Sequence, residues 1–194
     1  MPIFLPLIAT AAIATAPAPS AEDRALFAAF KGVCLNVRSL DAMGRAARKG
    51  KWQAVEADAH PNLEALVNKG HEAALAQDPG ARLSGSQFRR TVAGRTLFLV
   101  TSRYVDKDGA WSNGCRIYDF AATAPLPQGI VTALMGKAPT GIQPLPDGNS
   151  KYLWEPGWKS GHSVEASFSN GTDPVSQKFG LKGQILSSHA IGGF

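Results

Sequence analysis

Two cysteines, Cys34 and Cys115, carry the most reactive side chains of this sequence, and no other cysteine occurs in it. A thiol acts as a nucleophile when a neighbouring base or a positive field converts it to thiolate. An even number of cysteines in an oxidising compartment instead indicates a disulfide. A third alternative is a pair of free buried thiols, which pack as small apolar groups. Cys115 is therefore a catalyst, half of a bridge or a core residue.

The segment around the second cysteine, SNGCRI, resembles the S-x-G-C-[IV]-R signature of the L,D-transpeptidases, exported enzymes that cross-link cell-wall peptides through a cysteine. Ser112, Gly114 and Cys115 agree with that signature. Asn113 stands where the family has histidine, Arg116 stands where an aliphatic residue is expected, and no histidine lies shortly upstream. On a strand, Arg116 also points to the opposite face from Cys115. The resemblance implies an envelope-acting cysteine enzyme centred on Cys115, which is our alternative function.

The surroundings of the two cysteines favour the disulfide. Phe27, Phe30 and Cys34 have helical spacing, so Cys34 points into the core with the aromatic side chains. On a strand, Cys115 shares its face with Ile117, and this should be the covered face. A bridge between Cys34 and Cys115 would join the first helix to the sheet. The bridge would reduce the number of conformations of the unfolded chain, and this would stabilise the fold by on the order of 4 kcal/mol.

The histidines do not form a recognisable metal motif. Glu56, Asp58 and His60 alternate, as metal ligands on one face of a strand would. They directly precede a proline suited to the first turn of a helix, so we predict a capping turn and no metal or cofactor. His162 and His189 could meet on neighbouring strands, but two ligands make a weak zinc site. The chain also lacks GxSxG, P-loop, GxGxxG and HExxH motifs, and no catalytic residue is assigned.

Three arginines lie close together in the sequence, with no acidic residue between Gln87 and Tyr104. Arg89, Arg90 and Arg95 flank a predicted hairpin turn, and their guanidinium groups suit phosphate and carboxylate partners. We predict that they contact an anionic envelope component, with a solvated hairpin tip as the alternative. Nucleic acid is not an expected partner, because basic and aromatic residues are not interleaved.

The pattern of elements predicts an α+β fold. Helical periodicity extends from Ala21 to Ala76. An apolar helix containing Ile130 and ending at Gly136 is inserted between two groups of strands. The N-terminal helices are expected to pack on an antiparallel sheet of about five or six strands. Those strands are Gln87–Thr91, Arg95–Val105, Trp111–Phe120, Lys151–Trp154, His162–Phe168 and Gln184–His189.

The first twenty residues contain no charged side chain, and an apolar run is followed by small residues and prolines. This composition is typical of a secretory signal peptide, although the usual basic start is missing. Cleavage after Ser20 or after Ala14 fits the small-x-small rule, and we favour a mature chain that begins near Ala21. One alternative is a buried N-terminal helix, and another is a true start further upstream that supplies the missing basic segment. We therefore expect a leader over 1–20, a single domain over 21–194, and a periplasmic or secreted bacterial protein without a transmembrane segment.

The chain has 194 residues, 44% of them hydrophobic and 18% charged, with a net charge of +5. This balance is typical of a globular domain and excludes a disordered chain or an integral membrane protein. Our principal hypothesis is a non-catalytic exported protein that acts in binding, inhibition or envelope maintenance. The enzyme described above is the alternative.

Overall fold

A computed structural model describes residues 18–145 and 148–194. Five α-helices, a short 3-10 helix at Ala57–Ala59 and eight strands occur in these residues. The helices are α1 (Ala21–Cys34), α2 (Leu40–Lys49), α3 (Pro61–Gln77), α4 (Gln128–Met135) and α5 (Pro174–Phe179). The strands are β1 (Gln53–Val55), β2 (Arg82–Val92), β3 (Arg95–Val105), β4 (Trp111–Asp119), β5 (Gly141–Pro144), β6 (Ser150–Trp154), β7 (Ser163–Ser169) and β8 (Gly183–Gly192).

All eight strands belong to one antiparallel sheet with the order β1-β2-β3-β4-β8-β7-β6-β5. The α+β class is confirmed, but the predicted count of five or six strands is wrong. The two additional strands are β1 and β5, which have three and four residues and lie at the two edges of the sheet. Such short segments carry too few residues to show an alternating pattern.

One face of the sheet is covered by α1, α2 and α4, which together with the sheet form the larger apolar core. Phe30, Met43 and Val131 contribute one fully buried side chain from each helix. Leu97 and Leu99 meet them from β3. The amphipathic spacing of the first helix predicted that it packs on the sheet, because the helix must bury its apolar side.

The opposite face carries a smaller core beneath α3, with Leu181 and Ile185 packed at its margin. Leu63 of this helix packs with Phe98 and Val100 of β3. The run Leu97–Val100 is therefore buried on both faces, as its unbroken hydrophobicity predicts. The helices are thus distributed over both faces of the sheet, and α5 is a second helix inserted between strands.

Helix ends follow local sequence signals. Ser20 caps α1: its side chain accepts a hydrogen bond from the backbone of Asp23, whose carboxylate accepts one from the backbone of Ser20. Ser39 caps α2: its side chain accepts a hydrogen bond from the backbone of Ala42. Most of the proposed leader lies outside the described residues. Cleavage after Ser20 would remove the cap of α1, whereas cleavage after Ala14 would retain it.

The hairpin between β2 and β3 turns through two residues, Ala93 and Gly94, which both have positive φ angles of 48° and 78°. This backbone matches the two-residue turns that suit twisted hairpins. The sequence had suggested a three-residue loop that included Val92. The shorter turn leaves Val92 in the strand, buried against the larger core.

Within the described ranges, no helix has both the length and the apolar character required to cross a bilayer.

Candidate functional site

Cys34 and Cys115 form a disulfide between α1 and the centre of the sheet, with Cα atoms 5.3 Å apart. Both residues have no exposed surface. Cys115 lies in register between Thr101 and Ser188, which are also buried, so no solvent reaches its sulfur. Neither cysteine is a free thiol in the described chain. The predicted bridge is therefore confirmed.

Arg116 lies on the opposite face of β4 from Cys115, as the strand alternation predicts. Its guanidinium lies above Gly114, where an added Cβ would clash with one of the guanidinium nitrogens. The same group donates to the Ser102 hydroxyl at 3.4 Å and lies 3.5 Å from Nδ1 of His189. Glycine at position 114 thus allows this arginine to lie flat on the sheet, and no catalytic sulfur is near it.

His189 is enclosed on this face, and its pKa is lowered to about 4. Burial is the main cause, because it disfavours the charged imidazolium. The positive charges of Arg116 and Lys151 act in the same direction. Glu165 lies on the neighbouring strand, and its carboxylate pairs with Lys151 at 3.0 Å.

This lowered pKa predicts a loss of stability in weak acid. Between about pH 7 and pH 5 the unfolded chain takes up a proton at His189 that the folded chain does not, so the free energy of unfolding falls. We expect a loss of about 2 kcal/mol relative to His189→Gln over this range. Urea unfolding of both proteins at the two pH values measures it. Equal slopes against pH would contradict the neutral histidine.

Two of the other histidines, His60 and His162, have structural positions, whereas His71 is exposed on α3. His60 accepts a hydrogen bond from the backbone of Asn62 at the start of α3 and stacks on Phe120, with ring centres 4.7 Å apart. The predicted capping turn is therefore present. His162 is buried and points to the opposite face from His189, because His189 pairs with Ser163. In residues 18–145 and 148–194, no three His, Cys, Asp or Glu side chains are grouped closely enough for a metal ion.

The three predicted arginines are divided into two groups. Arg95 pairs with Asp119, whose side chain is only 2% exposed, and Nε donates to Oδ2 at 2.5 Å. Arg89 and Arg90 have no carboxylate partner in the described chain. Arg95 is thus engaged in the fold, whereas Arg89 and Arg90 remain available to a ligand.

Arg89 and Arg90 line an open cleft of about 630 Å³ beside the edge strand β1. Lys51 adds a third positive charge to this wall. The remaining lining is uncharged and polar: Gln53, Thr91 and Thr96. No acidic side chain lines the cleft, so its electrostatic character favours an anion. We call it the basic cleft.

Lys51 is positioned by the end of α2. Its amide donates to the carbonyl of Arg48, and the amide of Trp52 donates to the carbonyl of Ala47, which is the Schellman pattern. Glycine normally occupies the position of Lys51, because the backbone there is left-handed; its φ is 58°. The chain therefore places a lysine in a strained conformation at the wall of the basic cleft.

A second, smaller cleft of about 330 Å³ lies between α1 and α2 and shares Arg90 with the basic cleft. Small side chains of the two helices form most of it, and Trp52 also lines it. Trp52 is 4% exposed, and its indole N–H has no hydrogen-bond partner in the part of the chain described here. We call this space the helix cleft.

The sequence did not indicate Lys51 or the helix cleft. The left-handed turn after Gly50 and the lysine in place of glycine are visible only with the backbone. The proximity of α2 to Arg90 is a tertiary contact without a local signal.

Comparison of the chain with protein families, curated proteins and solved structures finds no match.

Proposed function

We propose that this chain is a non-catalytic binding protein that holds an anionic group in the basic cleft. The observation that carries the proposal is the set of three cations, Lys51, Arg89 and Arg90, which line one cleft without an acidic neighbour. Arg89 and Arg90 are consecutive residues of β2 and project to opposite faces of the strand, and both line the cleft at the edge of the sheet. An anionic ligand there would meet cationic and uncharged polar side chains. Arginine forks favour oxygens of phosphate or carboxylate groups.

We further propose that the protein is periplasmic or secreted and that its ligand is an anionic envelope component. The buried disulfide supports an oxidising compartment, because such bridges are rare in the reducing cytosol. The leader over residues 1–20 remains a proposal. The enzyme alternative requires a thiolate at Cys115, and the bridge gives it no support.

Removing the two free arginines is the direct test. We expect Arg89→Gln/Arg90→Gln to weaken binding to vesicles containing an anionic phospholipid by ten- to a hundredfold at low salt, because two charge-assisted contacts are lost. Added salt should weaken the parent protein in the same way, since the Debye length is only about 8 Å at physiological ionic strength. Sedimentation with vesicles measures the bound fraction.

A matched control removes two charges elsewhere. Arg82 and Lys182 are both exposed and do not line either cleft. Arg82→Gln/Lys182→Gln lowers the net charge by the same amount as the test variant but leaves the cleft intact. It should therefore retain most of the binding. Equal losses in both double variants would show attraction by net charge alone and would overturn the proposed site.

The strained lysine gives a separate prediction. Lys51→Gly should raise the free energy of unfolding by about 1 kcal/mol, because glycine adopts the left-handed backbone without strain. The same change should weaken anion binding, because the cleft loses a cation. Ala93→Gly is the control: its φ is also positive, at 48°, so it should gain stability without a change in binding. Urea unfolding and vesicle binding of both variants test the pair.

A further inference from the structure

The helix cleft differs in chemistry from the basic cleft beside it. Its floor is formed by small apolar side chains of α1 and α2, including Ala29, Val33 and Ala46. Its charged groups are Lys49 and Arg90, and Arg90 also lines the basic cleft. An apolar space therefore continues directly into a cationic one.

The helix cleft exists because α1 and α2 carry small residues where they face one another. Gly32 of α1 lines the opening, and a Cβ added there would meet no atom within 4 Å. Ala28, one turn earlier, is also exposed and lines the same space. Larger residues at these positions would fill the cleft without displacing the fold.

Trp52 carries an unsatisfied donor at the margin of the helix cleft. Its side chain lines the helix cleft and is only 4% exposed. Its indole N–H has no hydrogen-bond partner in the described residues. A buried donor without an acceptor costs free energy, so such groups are rare unless a ligand or water completes them.

We propose that the ligand is a single-chain amphiphile with a phosphate head group. The phosphate lies against Arg90 and the basic cleft, and the first part of the hydrocarbon chain lies in the helix cleft. This inference rests on the proposed function, since it identifies the ligand class of the same site. The cationic side chains of the basic cleft favour a phosphate head group, and the apolar lining of the helix cleft favours a hydrocarbon chain.

Monoalkyl phosphates of increasing chain length test the inference, with inorganic phosphate as the reference, all below their micelle concentrations. For the parent protein we expect the affinity to rise by about two- to fourfold for each methylene that enters the cleft, as apolar burial requires. Calorimetric titration at low salt measures each affinity. Identical affinities for inorganic phosphate and octyl phosphate would overturn the inference.

Filling the cleft provides the decisive comparison. Gly32→Leu should remove the dependence on chain length and leave the affinity for inorganic phosphate unchanged. Gly70→Leu is the matched control, because Gly70 lies in α3, outside both clefts, and also has no atom within 4 Å of an added Cβ. It should behave as the parent protein. Ala28→Leu repeats the test at a second position, so that misfolding of one variant does not decide the result.

Failure of the inference and failure of the proposed function give different results. If inorganic phosphate binds through Arg90 but chain length has no effect, only the amphiphile is excluded. If no phosphate binds and Arg89→Gln/Arg90→Gln changes nothing, the basic cleft itself is wrong and both proposals fall. A loss of chain-length dependence in Gly70→Leu as well would show that the helix cleft is not the site.

Discussion

Reduction of the Cys34–Cys115 disulfide is expected to lower the free energy of unfolding by about 4 kcal/mol. The two cysteines are 81 residues apart in the sequence, so the bridge closes a long loop and removes many conformations of the unfolded chain. It also holds α1 against β4, where both residues are fully buried. A loss of this size is a large part of the stability of a typical domain.

Urea unfolding of the parent protein with and without reductant measures this effect. The double variant Cys34→Ala/Cys115→Ala is the control, because it lacks the bridge and should not respond to reductant. It should unfold near the midpoint of the reduced parent, with a further small loss from the removed sulfur atoms. Equal midpoints for the oxidised and reduced parent would contradict a stabilising bridge.

Replacing Arg95 by methionine is expected to destabilise the protein by about 3 kcal/mol. Asp119 would then be a buried carboxylate whose remaining described contact is the backbone N–H of Ala121, at 3.1 Å. Removing one partner of a buried ion pair is costly, because the other charge stays withdrawn from water. We place the effect at the lower end of the usual range, because the Arg95 side chain is 27% exposed.

Two further variants separate the ion pair from a general effect of charge. Arg89→Met removes the same group from an exposed, unpaired position and should change the free energy of unfolding by less than about 0.5 kcal/mol. Asp119→Asn in the Arg95→Met background should recover part of the loss, because the buried charge is removed. Arg89→Met should weaken anion binding, whereas Arg95→Met should bind anions about as well as the parent protein. A stability loss as large in Arg89→Met would contradict this division.

The class of the fold could be predicted from the sequence because its long elements have clear periodicity. The apolar face of α1 and the continuous hydrophobic run in β3 each indicated what is found. The start of β2 was missed, because Ser84, Gly85 and Ser86 are polar or small residues that favour turns. Their strand conformation is imposed by pairing with β3, which is a tertiary effect.

The helix α5 was also missed, although it carries a complete set of local signals. Asp173 accepts hydrogen bonds from the first turn, Pro174 occupies the first helical position, and Gly180 ends the helix in a left-handed conformation. Six residues are too few to show an apolar periodicity, so only the residues at its two ends could indicate this helix. Caps alone could have identified it.

The candidate site was predictable only in part. The sequence singled out Arg89, Arg90 and Arg95 as one group, because no acidic residue lies near them in the chain. Asp119 lies 24 residues after Arg95 in the sequence and forms an ion pair with it in the fold. Arg95 is therefore not available to a ligand as Arg89 and Arg90 are. Lys51 joins Arg89 and Arg90 from the end of α2, again through a contact in three dimensions. Which charged side chains lack an ion-pair partner depends on contacts between elements that are distant in the sequence. The spacing of residues along the chain does not reveal those contacts.

The edge strand β1 has a consequence for association with extended chains. It pairs with β2 only at residues 87–89, in the interior of an eleven-residue strand. The free edge of β2 is thereby divided into a segment of five residues (82–86) and a segment of three (90–92). At the other side of the sheet, β5 offers four residues, and one of them is Pro144, which has no amide hydrogen to donate. An incoming peptide would therefore find only short runs of unpaired backbone groups at either edge, which disfavours the addition of a long strand.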